Sequence, residues 1–137
     1  MNIPQGKSII KNTSTLKLNY ESMLNDLILK KFNGYVCLTV KDKLGFEDGF
    51  LVFQEGNIKG GFYKLLDKNK DYYSENAIKF FMSSIKNPGA IDVYSLTKEQ
   101  TELLLTFNEK IRNKPINSIK YLKEFSTNNN KEELFVE

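Results

Sequence analysis

Residues 32–66, FNGYVCLTVKDKLGFEDGFLVFQEGNIKGGFYKLL, constrain the fold most. Val36, Leu38 and Val40 alternate with Tyr35, Cys37 and Thr39, the period of a strand over residues 35–41. One face of that strand is aliphatic. The other is mixed but uncharged, so both faces expect some cover. An acidic, glycine-bearing turn (residues 42–49) leads to a second strand over 50–54. Glu55-Gly56-Asn57 reads as a short hairpin loop with Gly56 in the left-handed region. A third strand follows over 58–66. Gly60 and Gly61 inside it call for a bulge or a close backbone approach. The stretch is therefore a three-strand meander.

The flanks read mainly as helix. Residues 1–18 predict an extended arm or loop that leads into a helix. Residues 20–32 predict a helix, capped by Asn19 and stopped at Asn33-Gly34, where Gly34 can take a positive φ. Residues 67–71 predict a charged loop, and 72–86 a second helix with Asp71 or Ser74 as its cap. A fourth strand falls on 90–96. Thr97 and Gln100 have capping-box spacing ahead of a third helix that runs to about residue 112, with Leu103, Leu104, Phe107 and Ile111 expected to be buried. Residues 113–137 differ in texture. Ile116, Ile119, Leu122 and Phe125 form one apolar stripe after Pro115, as in a short amphipathic helix. Ser126–Asn130 is low-complexity, and Leu134-Phe135-Val136 is a small apolar end.

Charge and rare residues exclude several chemistries. The chain has 137 residues, with 20 basic against 17 acidic and a net charge of +3. That bias is mild and spread out, unlike a nucleic-acid footprint. Arg112 is the single arginine, so bidentate phosphate or guanine reading has little to work with. There is no histidine, which removes the usual zinc, haem and triad chemistry. A lone cysteine, Cys37, cannot form an internal disulfide and points to a reducing, cytoplasmic setting. No apolar run approaches the ~20 residues of a membrane span. The first residues lack an apolar signal core, so export is not expected.

Five features could carry chemistry. Asp42, Glu47, Asp48 and Glu55 flank the two turns of the meander and read as solvated turn residues. Gly56, Gly60 and Gly61 sit in a hairpin and a strand, not between a strand and a helix, so they set backbone geometry and do not cradle phosphate. Cys37 reads as a small mid-strand side chain with no base to activate it. Phe62, Tyr63, Tyr72 and Tyr73 lie among Lys59, Lys64, Lys68 and Lys70 and could stack bases, the basis of an alternative nucleic-acid-binding reading. The Gly6-Lys7-Ser8 core lacks the upstream glycine of a phosphate loop.

The run Gly49, Leu51, Phe53, Gly56, Ile58, Gly60 resembles the double-strand signature of PATAN-type domains, with Gly61 where alanine is common. PGAIDVYSLTKEQTELLLTFNEK (residues 88–110) and the N-terminal Pro4-Gln5-Gly6-Lys7 are similar to an uncharacterised archaeal family, domain of unknown function 2226. The resemblance covers roughly residues 3–111. It implies a small α/β module used as an adaptor in prokaryotic signalling, with no catalytic residue to transfer.

These readings together predict an α+β domain over residues 1–112. A mainly antiparallel sheet of about four strands, the meander plus one, is covered by about three helices. Residues 113–137 are expected to be an appended amphipathic helix and flexible tail. The expected function is a non-enzymatic protein–protein interaction or adaptor module without cofactor or metal. A second copy of the chain is among the candidate partners, and nucleic acid is not favoured. Gly34, Gly49, Gly56, Gly60 and Gly61 are the structural signature, and Ile116, Ile119, Leu122 and Phe125 the expected partner contact.

Overall fold

The computed structural model describes residues 3–43 and 45–125, without the side chains of Asp42 and Phe125. The element order is β1 (Lys7–Ser14), α1 (Tyr20–Leu29), β2 (Gly34–Asp42), β3 (Gly45–Gln54), β4 (Asn57–Leu65), β5 (Lys70–Tyr73), α2 (Ser74–Ser84), β6 (Gly89–Ser95), α3 (Lys98–Phe107), β7 (Arg112–Ile116) and α4 (Ser118–Phe125). The strands form one sheet in the order β1-β6-β2-β3-β4-β5, and β7 also pairs with β4. Every pairing is antiparallel.

The α+β class is as expected, but the count of about four strands and about three helices is corrected: the described residues hold seven strands and four α-helices. The meander is β2-β3-β4, and the expected fourth strand is β6. The three extra strands are all at sheet edges. β1 was expected as an extended arm. It is largely exposed, and register shifts break its pairing with β6, so no clean alternation marks it. β5 has four residues, too few for a period: Lys70 and Asp71 fall in the expected charged loop, and Tyr72 and Tyr73 are strand where the second helix was expected to begin. β7 carries Pro115, which an edge strand tolerates because it lacks only an N–H. β4 gives one edge to β3. Its other edge is shared, with Ile58 and Gly60 facing β7 and Phe62 to Leu65 facing β5.

The connections put helices on both faces. After β5 the chain crosses the first face through α2 to reach β6, between β1 and β2. It then returns across the second face through α3 to reach β7. Val36, Leu38, Val40, Leu51, Phe53, Ile91 and Val93 meet α1, α2 and α4 on the first face. Tyr35, Phe50 and Val52 meet Leu96, Leu104, Leu105 and Ile111 on the second.

Two adjacent glycines make this double cover possible. A Cβ on Gly61 would come within 2.9 Å of Ile78 of α2, and one on Gly60 within 3.0 Å of Leu105 of α3 on the opposite face. Each helix therefore rests close on the backbone of β4. The register shift expected here falls between Val52 and Phe53, opposite Ile58 and Gly60. The hairpin from β3 to β4 turns through Glu55 (φ 50°) and Gly56 (φ 85°), both positive, as a two-residue primed turn demands.

α1 ends at Leu29, three residues short of the expected stop, because Lys31 takes φ 50° and the Phe32 amide bonds back to the Leu27 carbonyl. Gly34 serves the sheet: its φ is 149°, and a Cβ there would stand 2.1 Å from the Tyr94 carbonyl oxygen. α2 begins at Ser74 with no side-chain cap. The Ser74 hydroxyl instead reaches the carbonyls of Lys110 (2.6 Å) and Arg112 (3.0 Å), tying α2 to the entry of β7.

Candidate functional site

The acids of the two turns do not converge. Along β3, Glu47 and Asp48 point to opposite faces. Glu47 is fully buried on the first face, and the Tyr63 hydroxyl donates to it at 2.6 Å. Ser84 Oγ lies 3.4 Å from the same oxygen. The expectation of a solvated turn residue is therefore corrected for Glu47: β3 starts at Gly45, so position 47 already belongs to the strand's inward face. Asp48 accepts from Thr39 on the second face at 2.9 Å. Glu55 is at the far end of β3, 3.4 Å from Lys98. The Asp42 side chain lies outside the described residues. Among the described residues no group of three His, Cys, Asp or Glu side chains could hold a metal ion.

Cys37 is half-buried on the second face, paired across strands with Phe50 and Asp92. Burial first, and then the charges of Asp92 and Asp48, push its thiol up to about 12. At neutral pH it is a thiol and not a nucleophilic thiolate.

The aromatic and lysine group near β4 is divided. Tyr63 is in the core, stacked on Phe80 at 5.6 Å between centroids, and Tyr72 packs on the same ring at 4.4 Å. Phe62 and Tyr73 belong to the other face, beside Phe50. Lys64 lies 3.7 Å from Asp71. The sheet itself separates the two pairs of rings.

The stripe expected to meet a partner faces inward. Leu122 is 2% exposed within the core, and Ile116 and Ile119 pack against that core. The side chain of Phe125, and the expected tail over 126–137 with Leu134-Phe135-Val136, lie outside the described residues. β7 and α4 share the layers of the rest of the chain, with α4 lying against α1 and α2.

The exposed apolar surface lies elsewhere, on the outer side of α3. Thr97 caps this helix: its hydroxyl accepts from the Gln100 amide at 3.0 Å, and the Gln100 side chain accepts from the Thr97 amide at 2.9 Å. The capping box expected from the sequence thus fixes where α3 starts and which residues face out. Thr101, Leu104 and Leu105 are buried, while Leu103 is 51% and Phe107 76% exposed. Helical spacing sets Leu103 and Phe107 one turn apart on the same side. The N-terminal arm, with the Tyr35 hydroxyl donating to the Pro4 carbonyl at 3.3 Å, runs beside them. Ile3, Pro4, Leu103, Leu104 and Phe107 line a groove of ≈ 400 Å³. On the other side of Phe107 a second depression is lined by Tyr73, Glu109 and Lys110 among others. Phe107 is thus a ridge between two hollows. The expected burial of Leu103 and Phe107 is corrected: α3 sits on a sheet face and buries only one stripe, which Thr101, Leu104 and Leu105 supply.

The family described as an uncharacterized protein conserved in archaea (DUF2226) matches residues 1–108. The chain belongs to this family. The match takes in β1 through α3 and ends before β7 and α4, so the DUF2226 region includes the groove and its ridge. No curated protein and no solved structure matches the chain. Among the described residues no helix is long and apolar enough to cross a membrane.

Proposed function

We propose that this DUF2226 protein is a non-catalytic protein–protein interaction module, an adaptor in archaeal signalling or regulation that works in the cytoplasm. The observation that carries the reading is the outer side of α3. Leu103, Phe107 and Ile3 are exposed together beside an apolar groove, the kind of surface a helix face or apolar segment of another protein covers. The scatter of the acids and the protonated Cys37 are consistent with a binding role. The PATAN-like reading is part of the proposal. Its support is that Gly49, Leu51, Phe53, Gly56, Ile58 and Gly60 all fall on the β3–β4 hairpin, where they set packing and turn geometry.

The test is affinity capture with the full chain as bait, from a native-host lysate and from a differently tagged copy of itself. Wild type is compared with Leu103→Glu/Phe107→Glu and with Leu29→Glu, a control at a 73% exposed position on α1. The reading expects a defined protein that the α3 variant loses and the α1 variant keeps. Capture that nuclease treatment abolishes and that fades steeply with salt would overturn it in favour of nucleic acid.

A further inference from the structure

We infer that the partner of the α3 face is a second copy of this chain, with the two α3 helices antiparallel about a two-fold axis. This rests on the interaction-module reading and names its partner. Glu99, Leu103 and Phe107 recur every four positions, so they share a stripe. Lys110, in the single turn after α3, borders the depression beside Phe107. The outer side therefore presents an acid and two apolar side chains along α3 and then a base in the turn that follows it.

Such a stripe is complementary to itself reversed. In an antiparallel pair Leu103 meets the partner's Phe107, and Glu99 meets the partner's Lys110. Glu99 lies before the apolar pair and Lys110 follows it, so a two-fold axis set between Leu103 and Phe107 brings the acidic end of each copy to the basic end of the other. One two-fold axis thus satisfies both pairs, which is the condition for a closed, isologous contact. The shape agrees with this. Each Phe107 ridge has a groove beside it, lined by Ile3, Pro4, Leu103 and Leu104, that the partner's ridge can fill.

The other charges of α3 are engaged within the chain. Lys98 lies 3.4 Å from Glu55, and Glu102 meets Arg112 at 3.4 Å and Gln54 at 2.7 Å. Glu99 makes no ion pair among the described residues, and Lys110 lies 5.5 Å over the Tyr73 ring. Glu109 beside Lys110 shares the second depression and moderates its positive end.

The alternative of pairing through sheet edges has less to offer. β1 is broken by register shifts and carries Asn12 at φ 48°, and the opposite edge is divided between two short strands. Both devices blunt an edge against strand addition.

Two helices of ten residues make a small interface, so the dissociation constant is expected on the order of 10 μM. The test is sedimentation equilibrium of the full chain over a concentration series reaching about 0.1 mM. Wild type should move from the chain mass toward twice that mass. Phe107→Glu should remain monomeric, with its circular dichroism spectrum unchanged because Phe107 is mostly exposed. Glu99→Lys and Lys110→Glu should each weaken the dimer about tenfold, and the double exchange should restore it. A monomer throughout the series overturns the inference, as does a dimer that Phe107→Glu leaves intact. A monomer that still captures a host protein through α3 leaves the interaction-module reading standing. A monomer that captures nothing ends both.

Discussion

The Tyr63 hydroxyl donates to Glu47 at 2.6 Å, and both side chains are fully buried between the sheet and α2. Ser84 of α2 completes the group, its hydroxyl also bonded to the Phe80 carbonyl at 2.6 Å. The Tyr63 ring lies flat on Phe80 and occupies the space over Gly49, where a Cβ would meet the ring at 2.3 Å. A polar contact thus fixes the ring that fills the gap left by a glycine.

Removing the hydroxyl from that contact is expensive because the carboxyl stays behind. Tyr63→Phe should destabilise the fold by about 2 kcal/mol or more. The double variant Tyr63→Phe/Glu47→Leu should recover part of that loss, since both partners are then apolar. Urea midpoints for the two singles and the double give the coupling energy. Additive losses would mean that the bond is not what holds the pair.

Two glycines should differ sharply in tolerance. Gly34→Ala drives a Cβ to 2.1 Å from the Tyr94 carbonyl, on backbone shared by β2 and β6, and at φ 149°. Gly61→Ala meets the Ile78 side chain at 2.9 Å, which can shift. We expect Gly34→Ala to cost about 3 kcal/mol or more and Gly61→Ala about 1–2 kcal/mol. Thermal unfolding of the two variants checks the order.

Much of this fold was legible because strand and helix periods are written plainly wherever a segment is buried. The meander, β6, α2 and the capping box of α3 all belong to that class. The edge strands were not. β1 is exposed at most positions, and β5 and β7 are defined by what β4 offers them and not by their own residues. Glu47 was hidden for a related reason: an acid in a short run between two glycines, Gly45 and Gly49, reads as turn, and only the Tyr63 hydroxyl across the strand pair explains it inside. The exposed pair on α3 could be found only once one side of that helix was known to face the sheet. The stripe at Ile116, Ile119 and Leu122 shows the converse, an apolar face that the chain covers itself.

Cys37 links pH to stability. Its folded value is raised from 9.0 to about 12, so the folded state holds the proton more tightly than the unfolded chain. The contribution is fully present below pH 9 and is lost as pH rises from about 9 to about 12. Cys37→Ser should flatten that part of the pH–stability curve. Alkylation of the native thiol at pH 8 should be far slower than after unfolding in urea.

The cap of α3 should matter to its outer face as well as to the fold. Thr97→Ala removes the bond to the Gln100 amide and should cost about 1 kcal/mol. Fraying of the first turn then displaces Glu99. The variant should dimerise more weakly than wild type while keeping its sheet, read by sedimentation beside circular dichroism.

The most direct measurement on the α3 face is zero-length carbodiimide cross-linking of a mixture of isotope-labelled and unlabelled chains, followed by mass spectrometry. Glu55 and Lys98 supply an internal control, because they lie 3.4 Å apart within one chain. The account predicts Glu99–Lys110 links that join labelled to unlabelled chains, alongside Glu55–Lys98 links that never do. Finding the control link with no mixed Glu99–Lys110 link would contradict it.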